Sequence, residues 1–217
     1  MRAAAEAPAT ALSVWLTADN TLKGSLWRAF EAVDMLRLAG RPDDALRLAQ
    51  GALTAAKARF SESDPASLRD LSVSRIKLGD VLGDLGRPEE ARAAFAASLA
   101  LREDLRRQLG DRPAVLSDLS MSHSKLGDIL RDLQRPDEAK PHWQAALANY
   151  RTLHRQHGEA LASLIAMCVP LSRLAAAGDR AAAADYETLR QRLQAAAPDH
   201  PGVRVMFGGA AADGAVR

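Results

Sequence analysis

The sequence predicts an all-α protein, an α-solenoid of about four antiparallel helix pairs, and three observations carry that prediction. The first is a repeat. Residues 71–95 read LSVSRIKLGDVLGDLGRPEEARAAF, residues 119–143 read LSMSHSKLGDILRDLQRPDEAKPHW, and 14 of the 25 positions are identical at an offset of 48. Self-similarity at a fixed period of 20–50 residues is the mark of stacked supersecondary units. The second is leucine and alanine spacing at three, four and seven residues, the period of a helix face rather than of a strand. The third is a Gly/Gln-Arg-Pro break between these stripes, where one helix stops and the next opens.

In chain order, residues 1–18 are expected to form an N-terminal arm and residues 19–197 the repeat domain. A first helix from about Asp19 carries Leu26, Phe30, Val33 and Leu36 to Leu38. Gly40-Arg41-Pro42 ends it, and a second helix with Ala45, Ala49, Ala52 and Leu53 runs to about Phe60. Asp64-Pro65 supplies a cap and a first-turn proline for the next helix. Its stripe is Leu68, Leu71, Leu78, Leu82 and Leu85; after Gly86-Arg87-Pro88 come Ala91, Phe95, Leu99 and Leu105. The third unit repeats this with Leu116, Leu119, Leu126, Leu130 and Leu133, then Gln134-Arg135-Pro136, then Ala139, Trp143, Leu147, Tyr150 and Leu153. A fourth unit begins after Gly158. Its first helix, near 160–177, is apolar nearly all round and is expected to be buried on more than one side, with a kink at Pro170. The units therefore span about 19–62, 64–110, 112–157 and 159–197, and the glycine-rich residues 198–217 are expected to be a flexible tail.

Composition narrows the function. Across 217 residues, 29 Lys+Arg face 27 Asp+Glu, for a net charge of +2 without blocks of one sign. That balance opposes general electrostatic binding to nucleic acid or an anionic membrane. The single cysteine, Cys168, cannot form a disulfide within the chain, and it sits in the most apolar helix as a small hydrophobe. No apolar run nears the ~18 residues of a membrane span, and Glu6 interrupts any signal-peptide core. A cytoplasmic, soluble chain is the expectation. No nucleotide loop, catalytic triad or zinc-protease motif is present, so no catalysis and no cofactor are expected. His154, His157 and Glu159 cluster near a helix end but lack further ligands at metal-binding spacing, so no metal site is assigned. His123, on the packed stripe where the preceding unit has Arg75, is expected to be partly buried and hydrogen-bonded.

Leu78-Gly79, Leu82, Ala91 and Phe95 in one unit, and Leu126-Gly127, Leu130, Ala139 and Trp143 in the next, resemble the tetratricopeptide repeat. The period departs from that family's usual ~34 residues, so each helix should be longer by about two turns. The early tryptophan is replaced by Arg75 and His123, and the terminal proline is absent. The wording is similar to long-period repeats beside signalling or protease-like domains in large bacterial proteins. The resemblance implies a right-handed superhelix and a protein-interaction scaffold or adaptor. It also implies a concave groove lined by the first helix of each pair.

Transferring the repeat phase assigns to that groove Trp27, Phe30 and Asp34 from the first unit, then Val73, Ile76, Lys77, Asp80 and Asp84 from the second. The third contributes Met121, Ser124, Lys125, Asp128, Arg131 and Asp132. An apolar strip beside a carboxylate ladder (Asp34, Asp80, Asp128) suits a peptide or partner helix with apolar and basic residues. The competing expectation is that these charges pair with one another or with a neighbouring helix. A lysine–asparagine clamp for a terminal carboxylate is incomplete, because aspartate stands where asparagine is needed. Two other functions remain open. One is a self-assembling structural or regulatory subunit of a larger complex, stacked through the apolar fourth pair. The other is a helical-repeat nucleic-acid binder, which lacks a basic stripe.

Overall fold

A computed structural model describes residues 23–158 and 161–207. The expected arm at 1–18, and residues 208–217 of the expected tail, lie outside the described residues. The described residues are helical, with no strand among them. The helices are α1 (Lys23–Leu38), α2 (Pro42–Ala58), α3 (Pro65–Asp84), α4 (Pro88–Leu109) and α5 (Pro113–Asp132). They continue with α6 (Pro136–His157), α7 (Leu161–Ala176), α8 (Arg180–Ala196) and α9 (Pro201–Phe207). Each packs chiefly on its neighbours in the chain, and α1 also reaches α3. The result is an all-α solenoid of four pairs, α1–α2 to α7–α8, closed by α9.

The turn inside each pair is built once and reused. Gly40, Gly86 and Gly178 adopt φ of 66°, 68° and 85°. The following N–H reaches back five residues to a carbonyl, as in Arg87 to Leu82 at 2.9 Å and Asp179 to Leu174 at 3.0 Å. A left-handed residue at this position lets the chain satisfy the last carbonyls before reversing. Gln134 takes the same place at φ 60°, and Arg135 bonds to Leu130 at 2.9 Å. A side chain there is uncommon, yet the turn forms regardless. Beyond the turn, Arg41, Arg87 and Arg135 each clasp the acid three residues on, with Nε–carboxylate distances of 2.6 Å to Asp44, Glu90 and Glu138.

The two repeat glycines are explained by the rings behind them. A Cβ on Gly79 would lie 2.5 Å from Phe95 Cε1, and one on Gly127 would lie 2.5 Å from Trp143 Nε1. Ala91 and Ala139 are fully buried beside them. Each of these two inner pairs therefore closes with an aromatic ring against the bare backbone of the first helix, at a distance no side chain allows.

Two expectations need correction. Residues 201–207 belong to no flexible tail: they form α9, whose Val203 and Phe207 are buried in the core. Gly202 lies against Ile165 of α7, and Phe207 meets Tyr186 of α8 edge-on at 6.2 Å. Phe30 does not face the groove but is 2% exposed, in a cluster with Leu26, Val33 and the alanines of α2. Its own stripe of Leu26, Phe30 and Val33 is the α1 core face. Helix α7 runs as one helix through Pro170, with Leu164, Cys168 and Leu171 in the core.

Candidate functional site: a groove across three repeats

The first helices α1, α3 and α5 border a groove of 1080 Å³. Equivalent positions on the three helices supply its apolar residues. Trp27 and Met121 stand 42% and 43% exposed, with Val73 buried between them in sequence phase and Ile76 beside it. Leu38 adds a further exposed apolar side chain. Of the residues assigned from sequence, Trp27, Asp34, Val73, Ile76, Lys77, Asp80, Asp84, Met121 and Lys125 line this groove. Asp128, Arg131 and Asp132 line a smaller neighbouring cleft of 530 Å³, which shares Asp80, Asp84 and Lys125. Ser124 lines neither, although Ile76 at the equivalent position does; the short hydroxymethyl does not replace the longer side chain.

The carboxylate ladder is occupied by the protein itself. Lys77 bonds to Asp34 of the preceding repeat. Lys125 Nζ lies 2.6 Å from Asp80, again one repeat back. Arg173 Nε lies 2.8 Å from Asp128 across the next boundary. Arg173 performs this from five residues before its turn, whereas both lysines lie nine before theirs, so its longer reach replaces register. Arg37 adds a bond of 2.6 Å to Asp84 and lies 3.5 Å from Asp80. The Asp84 carboxylate and its neighbours hold the Arg37 guanidinium even more firmly protonated than usual. Asp128 also accepts from Trp143 Nε1 at 3.2 Å and so ties the ion pair to the ring on Gly127. The lysines and aspartates that repeat in sequence are thus inter-repeat clasps. A partner's basic residues would have to displace them.

The groove also contains residues that repeat-phase reasoning missed: Arg37, Arg69, Arg102 and Asp118. Arg69 Nε bonds to Asp118 at 3.0 Å, and its guanidinium stands 5.5 Å from the Trp27 ring centroid, within cation–π range. Arg102 comes from the second helix, α4, and reaches between α3 and α5 with 2% of its surface exposed. Nε donates to Ser72 Oγ at 3.3 Å; Nη1 donates to Ser122 Oγ at 3.0 Å and to the Asp118 carbonyl. Burial is the main influence on its pKa and pushes it down, with the Asp118 charge opposing and Arg69 reinforcing the shift. The available signal was a charge on a packed stripe: Ala91, Phe95, Ser98, Arg102 and Leu105 are the buried face of α4.

Away from the groove, His123 and His142 stand with their Nδ1 atoms 3.1 Å apart, so one must donate and the other accept. Glu103 lies 3.8 Å from His123 Nε2. Burial, then the charge of His142, lowers the His123 pKa to about 4. His154 is described but His157 and Glu159 side chains are not; among the described residues no group of three or more acidic, His or Cys ligands is placed to hold a metal. Burial alone raises the Cys168 thiol to about 11, unsuited to a thiolate nucleophile.

A family profile described as the tetratricopeptide repeat matches residues 72–105, the stretch from α3 into α4 that carries Gly79, Ala91 and Phe95. The chain is a helical-repeat protein with tetratricopeptide-like repeats. Among solved structures, the crystal structure of BtubC (BKLC) from P. vanneervenii is similar in fold, at 19% identity and a TM-score of 0.54 over 85% of this chain. The chain spans 65% of that protein's length. No curated protein matches it in sequence. No described helix is long and apolar enough to cross a membrane.

Proposed function

We propose that the chain is a non-catalytic interaction scaffold that receives a segment of a partner protein in the groove of α1, α3 and α5. Tetratricopeptide-type repeats suggest protein partners in general. The observation that supports this particular surface is the exposed pair Trp27 and Met121, placed at equivalent points of α1 and α5 on either side of Val73. Large apolar side chains exposed at the edge of a groove are what a docking segment can cover, and aromatic anchors dominate many interfaces. The charged clasps between repeats hold these positions at a fixed spacing. A segment lying along the groove would read them in sequence.

Self-stacking through the apolar fourth pair has less support, because α9 already covers part of α7 and α8. The test is a photocrosslinking residue placed at position 121 in the groove or at position 100 on the exposed side of α4. Crosslinks to a partner are expected from 121, and Trp27→Ala with Leu38→Asp, both in the same groove, should abolish them while the helical signal is kept. Crosslinks from position 100 alone would assign binding to the other face.

A further inference from the structure

We infer that the groove contains a subsite for one carboxylate, an Asp or Glu side chain within the partner segment, formed by Arg102 and Arg69. This rests on the groove being the docking surface. All four carboxylates lining the groove are engaged: Asp34 by Lys77, Asp80 by Lys125, Asp84 by Arg37 and Asp118 by Arg69. Among the described residues five cations line it, and the fifth is Arg102, which pairs with none of their carboxylates. A buried charge is costly unless paired, and three hydroxyl or carbonyl oxygens satisfy only part of a guanidinium. Arg102 Nη2 has no hydrogen-bond partner among the described residues, and it is not among the atoms sealed inside the protein. It is the free end of a planar fork whose other nitrogens are fixed by Ser72, Ser122 and the Asp118 carbonyl.

The local charge selects the ligand. Arg69, Arg102 and Asp118 sum to a single positive charge, which one carboxylate neutralises and a doubly charged phosphate would exceed. A guanidinium presents parallel donors that fit a carboxylate, and the interaction gains from the low dielectric at a buried site. Trp27 flanks the subsite through Arg69, and Met121 adjoins Ser122, so the acid would be read between apolar neighbours. This reverses the sign expected from the aspartate ladder.

The experiment is a positional-scanning library of nonapeptides, acetylated and amidated so that no terminal charge competes, selected on the full chain. Wild type should enrich one acidic position flanked by apolar ones. Arg102→Gln, whose amide nitrogen stands where Nε bonds Ser72, removes the outer fork and should weaken the selected peptide by at least ~30-fold at an unchanged helical signal. Arg69→Gln, on an exposed side chain, provides the same comparison if Arg102→Gln does not fold. Enrichment without an acid, or equal affinity for a folded variant, would overturn the carboxylate subsite and leave the groove reading in place. No enrichment at all, with Met121→Asp behaving as wild type, would overturn both.

Discussion

Two sets of charges meet at the groove and differ in how they are paired. The ladder of Asp34–Lys77, Asp80–Lys125 and Asp128–Arg173 repeats from unit to unit, and every member is answered by the next repeat. The corner of Arg69, Asp118 and Arg102 occurs once, and its buried guanidinium is left without a carboxylate among the described residues. A charge that recurs at the repeat period does what every repeat must do, which is hold its neighbour. A charge that interrupts one apolar stripe and is not repeated marks what this groove does individually: in the unit after Arg102, the same place is held by Tyr150.

Both sets depend on the register fixed by the repeat glycines, so breaking that register has the largest expected effect. Gly127→Leu would drive a side chain into Trp143, whose ring leaves no room even for a Cβ. A loss of ~1–3 kcal/mol or more in denaturant unfolding is expected. A wild-type melting temperature would remove the basis for aligning the two charge sets.

Acid should act next, through the histidine pair rather than through either set. His123 binds a proton near pH 4 in the folded protein and near 6.5 when exposed, so the unfolded state is protonated first. Its contribution is complete above pH 6.5 and falls as pH drops toward 4. The melting temperature should decline over that window, and His123→Gln should flatten this part of the decline. An equally steep profile in the variant would place the acid sensitivity elsewhere.

The smallest effect is expected at Arg102. Arg102→Gln keeps an amide where Nε bonds Ser72 and loses the Nη1 bonds to Ser122 and the Asp118 carbonyl, so a loss of ~1 kcal/mol is expected. A loss comparable with that of Gly127→Leu would make Arg102 a structural member like the ladder.

Sequence reasoning reached the fold because packing is written repeatedly: the leucine stripes, Gly79 and Gly127, and Phe95 and Trp143 recur at one spacing. It reached much of the groove for the same reason, since Trp27, Val73 and Met121 share one phase. Phe30 was misplaced by giving that phase priority over its own helix, where Leu26 and Val33 mark the core face. Helix α9 has only seven residues, too few for periodicity to stand out beside glycines and prolines. Pairing was the hardest to read. Lys77 and Asp34 are 43 residues apart, and nothing local indicates that α1 and α3 bring them together. Arg173 is less legible still, because it joins the ladder from a different turn of its helix.

The central claim is that the repeated aspartates and lysines hold repeats together rather than await a ligand. A double-mutant cycle on Asp80→Asn and Lys125→Met, measured by denaturant unfolding of the free protein, tests it most directly. Asp80 is largely buried and the lysine half-exposed, so a favourable coupling of about 1 kcal/mol is expected, diminishing as salt is raised. Additive single-mutant losses, with no coupling at low salt, would contradict the account and return the ladder to the list of free binding groups.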